Sequence, residues 1–300
     1  MRKPNFFIVG FGRSGSTSLY KYLRQHPQIY MSPVKEPKFF SSDMREGAGT
    51  TAVNTLPEYL ALFQAAGDRK VLGEASTMYI LSDVAAEQIY RFNPQSKIVI
   101  LLRHPVDFLQ SWHSLGVRDG YESEPDLLRA LDLEEQRTRE GGARDQGAEI
   151  SYRYRHVIHH APRYVQRWYD TFGRDQVKVI VFDDLSRRTE EVYRDLLAFL
   201  EVDTSIVPDF KVHNSARAFG KSRAAWVDKL LGKPGSAGLR RLLPQRSLGI
   251  RKALRKLNTT EVQRQDLAPE TRQALVDEFT PVIQDLERIV RRDLSAWYRT

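Results

Sequence analysis

Cysteine is absent from this chain of 300 residues. Its absence excludes disulfides, thiolate metal sites and a cysteine nucleophile, and it suits a reducing compartment. Also missing is any run of the roughly 18 to 20 apolar residues that a membrane-crossing helix needs. Ahead of Gly10 stand Arg2 and Lys3 but only a handful of apolar residues, too few for a signal-peptide core. The sequence therefore reads as cytoplasmic. Acids are scarce in one stretch: between Lys211 and Thr260 there are thirteen Lys or Arg and one acid, Asp228, while the whole chain carries +8. Such a segment suits an anionic partner, whether nucleotide, acidic glycan, membrane surface or nucleic acid; the plainer reading is a solvated basic face.

With 41% apolar residues the chain can bury one large core, and residues 1–300 are expected to form a single domain without internal repeats. The apolar run Phe6-Phe7-Ile8-Val9 breaks into Gly10-Phe11-Gly12-Arg13-Ser14-Gly15-Ser16-Thr17-Ser18 and then into the helical pattern Leu19-Tyr20-Lys21-Tyr22-Leu23. A strand that turns through glycines into a helix N-terminus presents backbone N–H groups and the positive helix end to an anion. Gly10 to Gly15 fits the first half of a P-loop, yet Ser16 stands where the P-loop lysine belongs, and the cation is Arg13.

Further strands are expected over Lys70–Glu74, Lys97–Leu102 and Gln176–Phe182. Helices are expected near 57–66, 82–92, 126–140, 155–172, 187–200 and 269–290. Within 211–260 the pattern suggests helices and loops, with an amphipathic surface helix as one option. Strands alternating with helices indicate an α/β fold, a central parallel sheet flanked by helices in three layers. Ligands of such sheets bind at the carboxyl ends of the strands. The 10–18 loop, Glu74, Arg103 and Asp183 fall at such ends. Arg103, with Ser111 two helical turns on, forms a second candidate anion site, because guanidinium is a bidentate partner for phosphate. Two anion sites at neighbouring strand ends suit a nucleotide phosphorylated at both ends.

These segments resemble the sulfotransferase family. Phe7 to Pro27, FIVGFGRSGSTSLYKYLRQHP, is similar to its 5′-phosphosulfate loop, and Lys97 to Trp112, KIVILLRHPVDFLQSW, to its 3′-phosphate motif. VIVFDDL at 179–185 resembles a strand and turn of bacterial members. HNSARAFGKSR at 213–223 resembles a later loop over the cofactor, and SPVKEPKFF at 32–40 is similar to a stretch of heparan-sulfate-type members. The resemblance runs from about residue 5 to 297. It implies a P-loop-like fold and transfer of a sulfuryl group from 3′-phosphoadenosine 5′-phosphosulfate (PAPS) to a hydroxyl acceptor such as a glycan, glycolipid or small metabolite. The nucleotide product is 3′-phosphoadenosine 5′-phosphate (PAP), and no metal is required.

Carried over by residue, Arg13 sits beside the bridging oxygen, with Ser14, Gly15, Ser16, Thr17 and Ser18 around the 5′-phosphate. Arg103 and Ser111 hold the 3′-phosphate, and Lys221, Ser222 and Arg223 close over the cofactor. Glu36 matches the general base, with Glu74 as the second candidate. Two departures stand out: Ala75 follows Glu74 where glycan-modifying members often carry lysine, and Arg13 replaces a loop lysine.

Two other readings remain. A P-loop kinase or NTPase would use the acids of VIVFDD for Mg²⁺. A polyanion- or membrane-binding protein would use the basic segment. No nucleic-acid partner is expected, peripheral membrane contact stays open, and oligomeric state is not legible. His156, His159 and His160 lack the acid of an H-E-x-x-H zinc motif. Trp112, Trp168 and Trp226 read as packing residues.

Overall fold

The computed structural model describes residues 2–44, 53–119, 122–140, 153–210, 218–222, 259–263 and 266–299. In chain order the elements are β1 (Phe6–Gly10), α1 (Ser16–Leu23), β2 (Ile29–Met31), α2 (Leu56–Ala61), β3 (Val71–Ala75), α3 (Ala85–Phe92) and β4 (Lys97–Leu102). They continue with α4 (Pro105–Asp119), α5 (Leu127–Glu140), α6 (Tyr154–His159), α7 (Ala161–Phe172), β5 (Val177–Val181), α8 (Phe182–Arg187) and α9 (Thr189–Phe199). The last are β6 (Ala218–Ser222), β7 (Thr259–Gln263) and α10 (Pro269–Val290).

Five strands form one parallel sheet in the order β2-β3-β1-β4-β5. β1 lies in the middle, in register with β4 from Phe6 opposite Lys97 to Gly10 opposite Leu101. Every residue of β1 is buried, because both sheet faces are covered. Phe6 and Ile8 pack on one side with Leu19 and Leu23 of α1 and Tyr193, Leu196 and Leu197 of α9. Phe7 and Val9 pack on the other with Tyr59 of α2, Ile89 of α3, Leu109 of α4, Trp168 of α7 and Phe279 of α10. Each such buried side chain contributes about 1.5–3 kcal/mol. The result is the three-layer α/β fold with a P-loop-like central sheet.

Several boundaries differ from the sequence reading. β2 escaped it, being three residues long at the sheet edge. The apolar run into Phe182 ends as a strand at Val181, and Phe182 opens α8. The expected 155–172 helix is two helices, broken at His160 with Pro162 in the first turn of the second. Helices and loops were expected across 211–260, yet its described ends are strands: β6 and β7 pair antiparallel, Lys221 opposite Thr260. Residues 211–217 and 223–258, and with them Arg223, Trp226 and the candidate amphipathic helix, lie outside the described residues. No described helix is long and apolar enough to cross a membrane.

Candidate active site

The loop after β1 leaves the centre of the sheet through backbone that only glycine fits. Gly10 has φ 126°, and a Cβ there would stand 2.4 Å from the Leu101 carbonyl oxygen. Gly15 has φ 88° and serves as N-cap of α1 without a side-chain capping bond, so the first-turn N–H groups are not capped by it. No acid sits in that first turn. Arg13 is left-handed at φ 68°, a conformation costing a non-glycine residue about 1 kcal/mol or more. Ser14 is fully buried, and its Oγ finds no hydrogen-bond partner among the described residues. An orphaned hydroxyl inside a glycine cradle is what a loop built to receive phosphate oxygens would show.

β4 ends beside this loop. Arg103 Nη1 donates to the Arg13 carbonyl at 2.7 Å, and Arg13 Nε donates to Ser111 Oγ on α4 at 3.0 Å. The two anion motifs are therefore in direct contact through Arg13. The Arg103 guanidinium carbon lies 4.6 Å from the centre of the Phe182 ring, a cation–π contact that steadies the fork. Phe182 is a site neighbour that sequence reasoning assigned to a strand. β6, which carries Lys221 and Ser222, runs beside α4.

Glu36 arrives from the other side. It follows β2 in a loop whose residues Glu36 and Lys38 both have positive φ, 60° and 55°. Glu36 N donates to the Ala75 carbonyl at 2.9 Å, which brings the residue to the end of β3, next to β1. Its Oε2 accepts the Thr77 N–H at 3.0 Å; its Oε1 accepts the Thr77 hydroxyl and pairs with Lys35 Nζ, both at 2.9 Å. The carboxylate remains partly exposed. Thr77 was not singled out from sequence; the signal was the polar run Ser76-Thr77 directly after a strand end.

Glu74, the second candidate base, is enclosed. It is fully buried; its Oε1 accepts the hydroxyls of Tyr59 at 2.8 Å and Tyr79 at 3.0 Å, and its Oε2 accepts that of Ser76 at 2.7 Å. Tyr59 is carried by α2, whose start is fixed by a capping box between Thr55 and Glu58. Among the described residues, both oxygens of this carboxyl are taken up by hydroxyls inside the core and neither is open to solvent. Burial pushes it up from 4.5 to about 7, with the three hydroxyls opposing and Glu36 adding to the rise. Because the folded value lies above the unfolded one, the stability Glu74 contributes is complete below pH 4.5 and lost as pH rises through about 7. At about 1.4 kcal/mol per pH unit this amounts to about 3 kcal/mol. Glu74→Gln, which does not titrate, should therefore gain about 3 kcal/mol relative to wild type between pH 4.5 and 8 in urea unfolding. Parallel stability curves for the two proteins would show that Glu74 does not titrate in this window.

The acids of the VIVFDD stretch are engaged elsewhere. Asp183 Oδ2 accepts the Trp297 indole N–H at 3.0 Å, and Asp184 pairs with Arg188 and Arg292. They anchor α8 and the C-terminal turn rather than face an open site. The His156 and His160 rings stack at 4.0 Å, and burial, then His160, Arg153 and His159, push His156 down to about 4. Among the described residues no group of three or more His, Asp or Glu is arranged to hold a metal. Trp168 is fully buried in the core, and Trp112 packs against it and over Gly12.

A family model described as "Sulfotransferase domain" matches residues 3–227. The chain belongs to the sulfotransferase family. A solved structure of a sulfotransferase from Alicyclobacillus acidocaldarius is 31% identical, with a TM-score of 0.74 over 100% of both chains. The membrane-associated sulfotransferase kil1 of Dictyostelium discoideum is 31% identical over 115 residues, covering 38% of this chain and 23% of the relative. The bifunctional heparan sulfate N-deacetylase/N-sulfotransferase 1 of Caenorhabditis briggsae is 23% identical over 251 residues, covering 78% of this chain and 26% of the relative. The chain thus spans about a quarter of the length of each of these two curated relatives.

Proposed function

We propose that this sulfotransferase moves a sulfuryl group from PAPS to a hydroxyl acceptor, with Glu36 as general base and Arg13 at the leaving phosphate. The observation that carries the reading is the joining of two anion motifs by one cation. Arg13 belongs to the loop after β1, reaches Ser111 on α4, and has its carbonyl held by Arg103 at the end of β4. Bound PAPS supplies the sulfuryl group and a phosphate leaving group. In this reading Ser14, Gly15, Ser16, Thr17 and Ser18 hold the 5′ end and Arg103 and Ser111 the 3′-phosphate, and the resemblance assigns Lys221, Ser222 and Arg223 to closure over the cofactor. Glu36 takes the proton of the acceptor hydroxyl as its oxygen bonds to sulfur and the bond from sulfur to the bridging oxygen breaks. Arg13 and the loop amides meet the negative charge that grows on that bridging oxygen. The products are a sulfate ester and PAP.

Names of relatives favour a carbohydrate acceptor: heparan sulfate for the Caenorhabditis protein, and "Carbohydrate sulfotransferase 15" for a Rattus norvegicus protein 26% identical over 147 residues. Calorimetry with PAP, adenosine 5′-phosphate and Mg-ATP tests the donor. PAP is expected to bind about 1,000-fold more tightly than adenosine 5′-phosphate, or more, because it alone engages both motifs. Preference for Mg-ATP would replace the reading with a kinase or NTPase. Incubation of ³⁵S-labelled PAPS with source-cell extract then identifies the acceptor as the molecule that gains label.

A further inference from the structure

The buried carboxyl at the end of β3 touches nothing that reacts, yet its partners lead to the loop that carries Glu36. Ser76 Oγ donates to Glu74 Oε2 at 2.7 Å and accepts the backbone N–H of Lys38 at 3.1 Å. Tyr79 OH donates to Glu74 Oε1 at 3.0 Å and accepts the backbone N–H of Phe40 at 3.2 Å. A hydroxyl has one proton. By taking both protons, Glu74 turns the oxygen lone pairs of Ser76 and Tyr79 toward the loop amides. The Lys38 amide lies within, and the Phe40 amide just after, the segment in which Glu36 and Lys38 hold left-handed backbone. Such backbone persists only where its surroundings over-determine it. The next residue, Thr77, receives the Glu36 carboxylate through its N–H and hydroxyl.

We propose that Glu74 is a positioning residue for Glu36: through the Ser76 and Tyr79 hydroxyls it fixes the amides of Lys38 and Phe40, and so holds the left-handed loop that presents the Glu36 carboxylate. The inference rests on Glu36 being the base in sulfuryl transfer, and it adds why a fully buried acid stands at this strand end. The titratable groups that face Glu74 are the phenols of Tyr59 from α2 and Tyr79 from the turn after β3, with the Glu36 carboxylate beyond. Burial and the neighbouring Glu74 push both phenols well up, so they remain donors.

The test uses the full chain with Ser76→Ala and Tyr79→Phe, each of which removes one tie, alongside Glu74→Gln. Amide hydrogen exchange at pH 7.5 should speed at least tenfold at Lys38 in Ser76→Ala, at Phe40 in Tyr79→Phe, and at Lys38 in Glu74→Gln, whose oxygen can keep the two phenol protons while its NH2 replaces the oxygen that takes the Ser76 proton. Amides of β4 and of the 10–18 loop should stay within threefold of wild type. With ³⁵S-labelled PAPS and source-cell extract as acceptor, kcat should fall at least tenfold in Ser76→Ala and Tyr79→Phe, while PAP affinity by calorimetry stays within twofold. Unchanged exchange, unchanged kcat, or a loss of PAP affinity in step with kcat each overturns the proposal. Wild-type protein that neither binds PAP nor transfers label refutes the sulfuryl-transfer reading instead, and the exchange rates still decide whether Glu74 holds the loop.

Discussion

Arg103→Ala is expected to weaken PAP binding about 1,000-fold while leaving adenosine 5′-phosphate within about threefold. Arg103 stands at the mouth of a buried strand, its position fixed by the Arg13 carbonyl at 2.7 Å and the Phe182 ring beneath it. A guanidinium held this way presents a charged fork to a phosphate at little further ordering cost. Two charge-assisted bonds at about 1.5–3 kcal/mol each contribute about 4 kcal/mol, which is about three decades in Kd. Adenosine 5′-phosphate lacks the 3′-phosphate, so it isolates the 10–18 loop. Calorimetry on both ligands separates the roles: equal weakening of the two would mean that Arg103 only shores up Arg13, and no weakening of either would remove it from the site. Arg103→Lys should recover part of the loss, since it restores charge but not the fork.

What was legible in the sequence followed from buried periodicity. Lys97 to Leu102 reads as a strand covered on both faces because five of its six residues are apolar without alternation, and it is one. The glycine loop was equally visible, since Gly10 and Gly15 both take φ values that other residues avoid. β2 was hidden because Ile29–Met31 is shorter than any periodic signal. Phe182 was misassigned because its apolar side chain continues the strand pattern; it leaves the strand to lie against Arg103, a tertiary contact that local pattern does not encode. The linkage between Glu74 and the Glu36 loop was invisible for a similar reason. It runs through two hydroxyls, and Ser76 and Tyr79 carry no mark that distinguishes a relay from an ordinary polar residue. Glu36 was proposed as base only through resemblance, because a lone acid between two lysines, Lys35 and Lys38, looks like any exposed ion pair, and its pairing with Lys35 is present.

That pairing makes Glu36→Gln the sharper of the two experiments. The amide keeps the shape of the carboxylate, and its oxygen can still accept the Thr77 N–H that Glu36 Oε2 accepts at 3.0 Å. What it loses is the capacity to take a proton from an acceptor hydroxyl. General-base removal of that proton is typically worth 10²- to 10⁴-fold, so kcat with the natural acceptor is expected to fall by about that factor. PAP affinity should stay within twofold, because Glu36 is held at the end of β3 whereas Arg13 lies in the loop after β1, Arg103 just past the end of β4 and Ser111 on α4. Glu36→Asp, which keeps the base but draws it back by one methylene, should fall between the two. Single-turnover transfer from ³⁵S-labelled PAPS measures the chemical step apart from product release. If Glu36→Gln transfers label at close to the wild-type rate, Glu36 is a structural partner of Lys35 and Thr77, and the base must be sought among the other groups that face the acceptor.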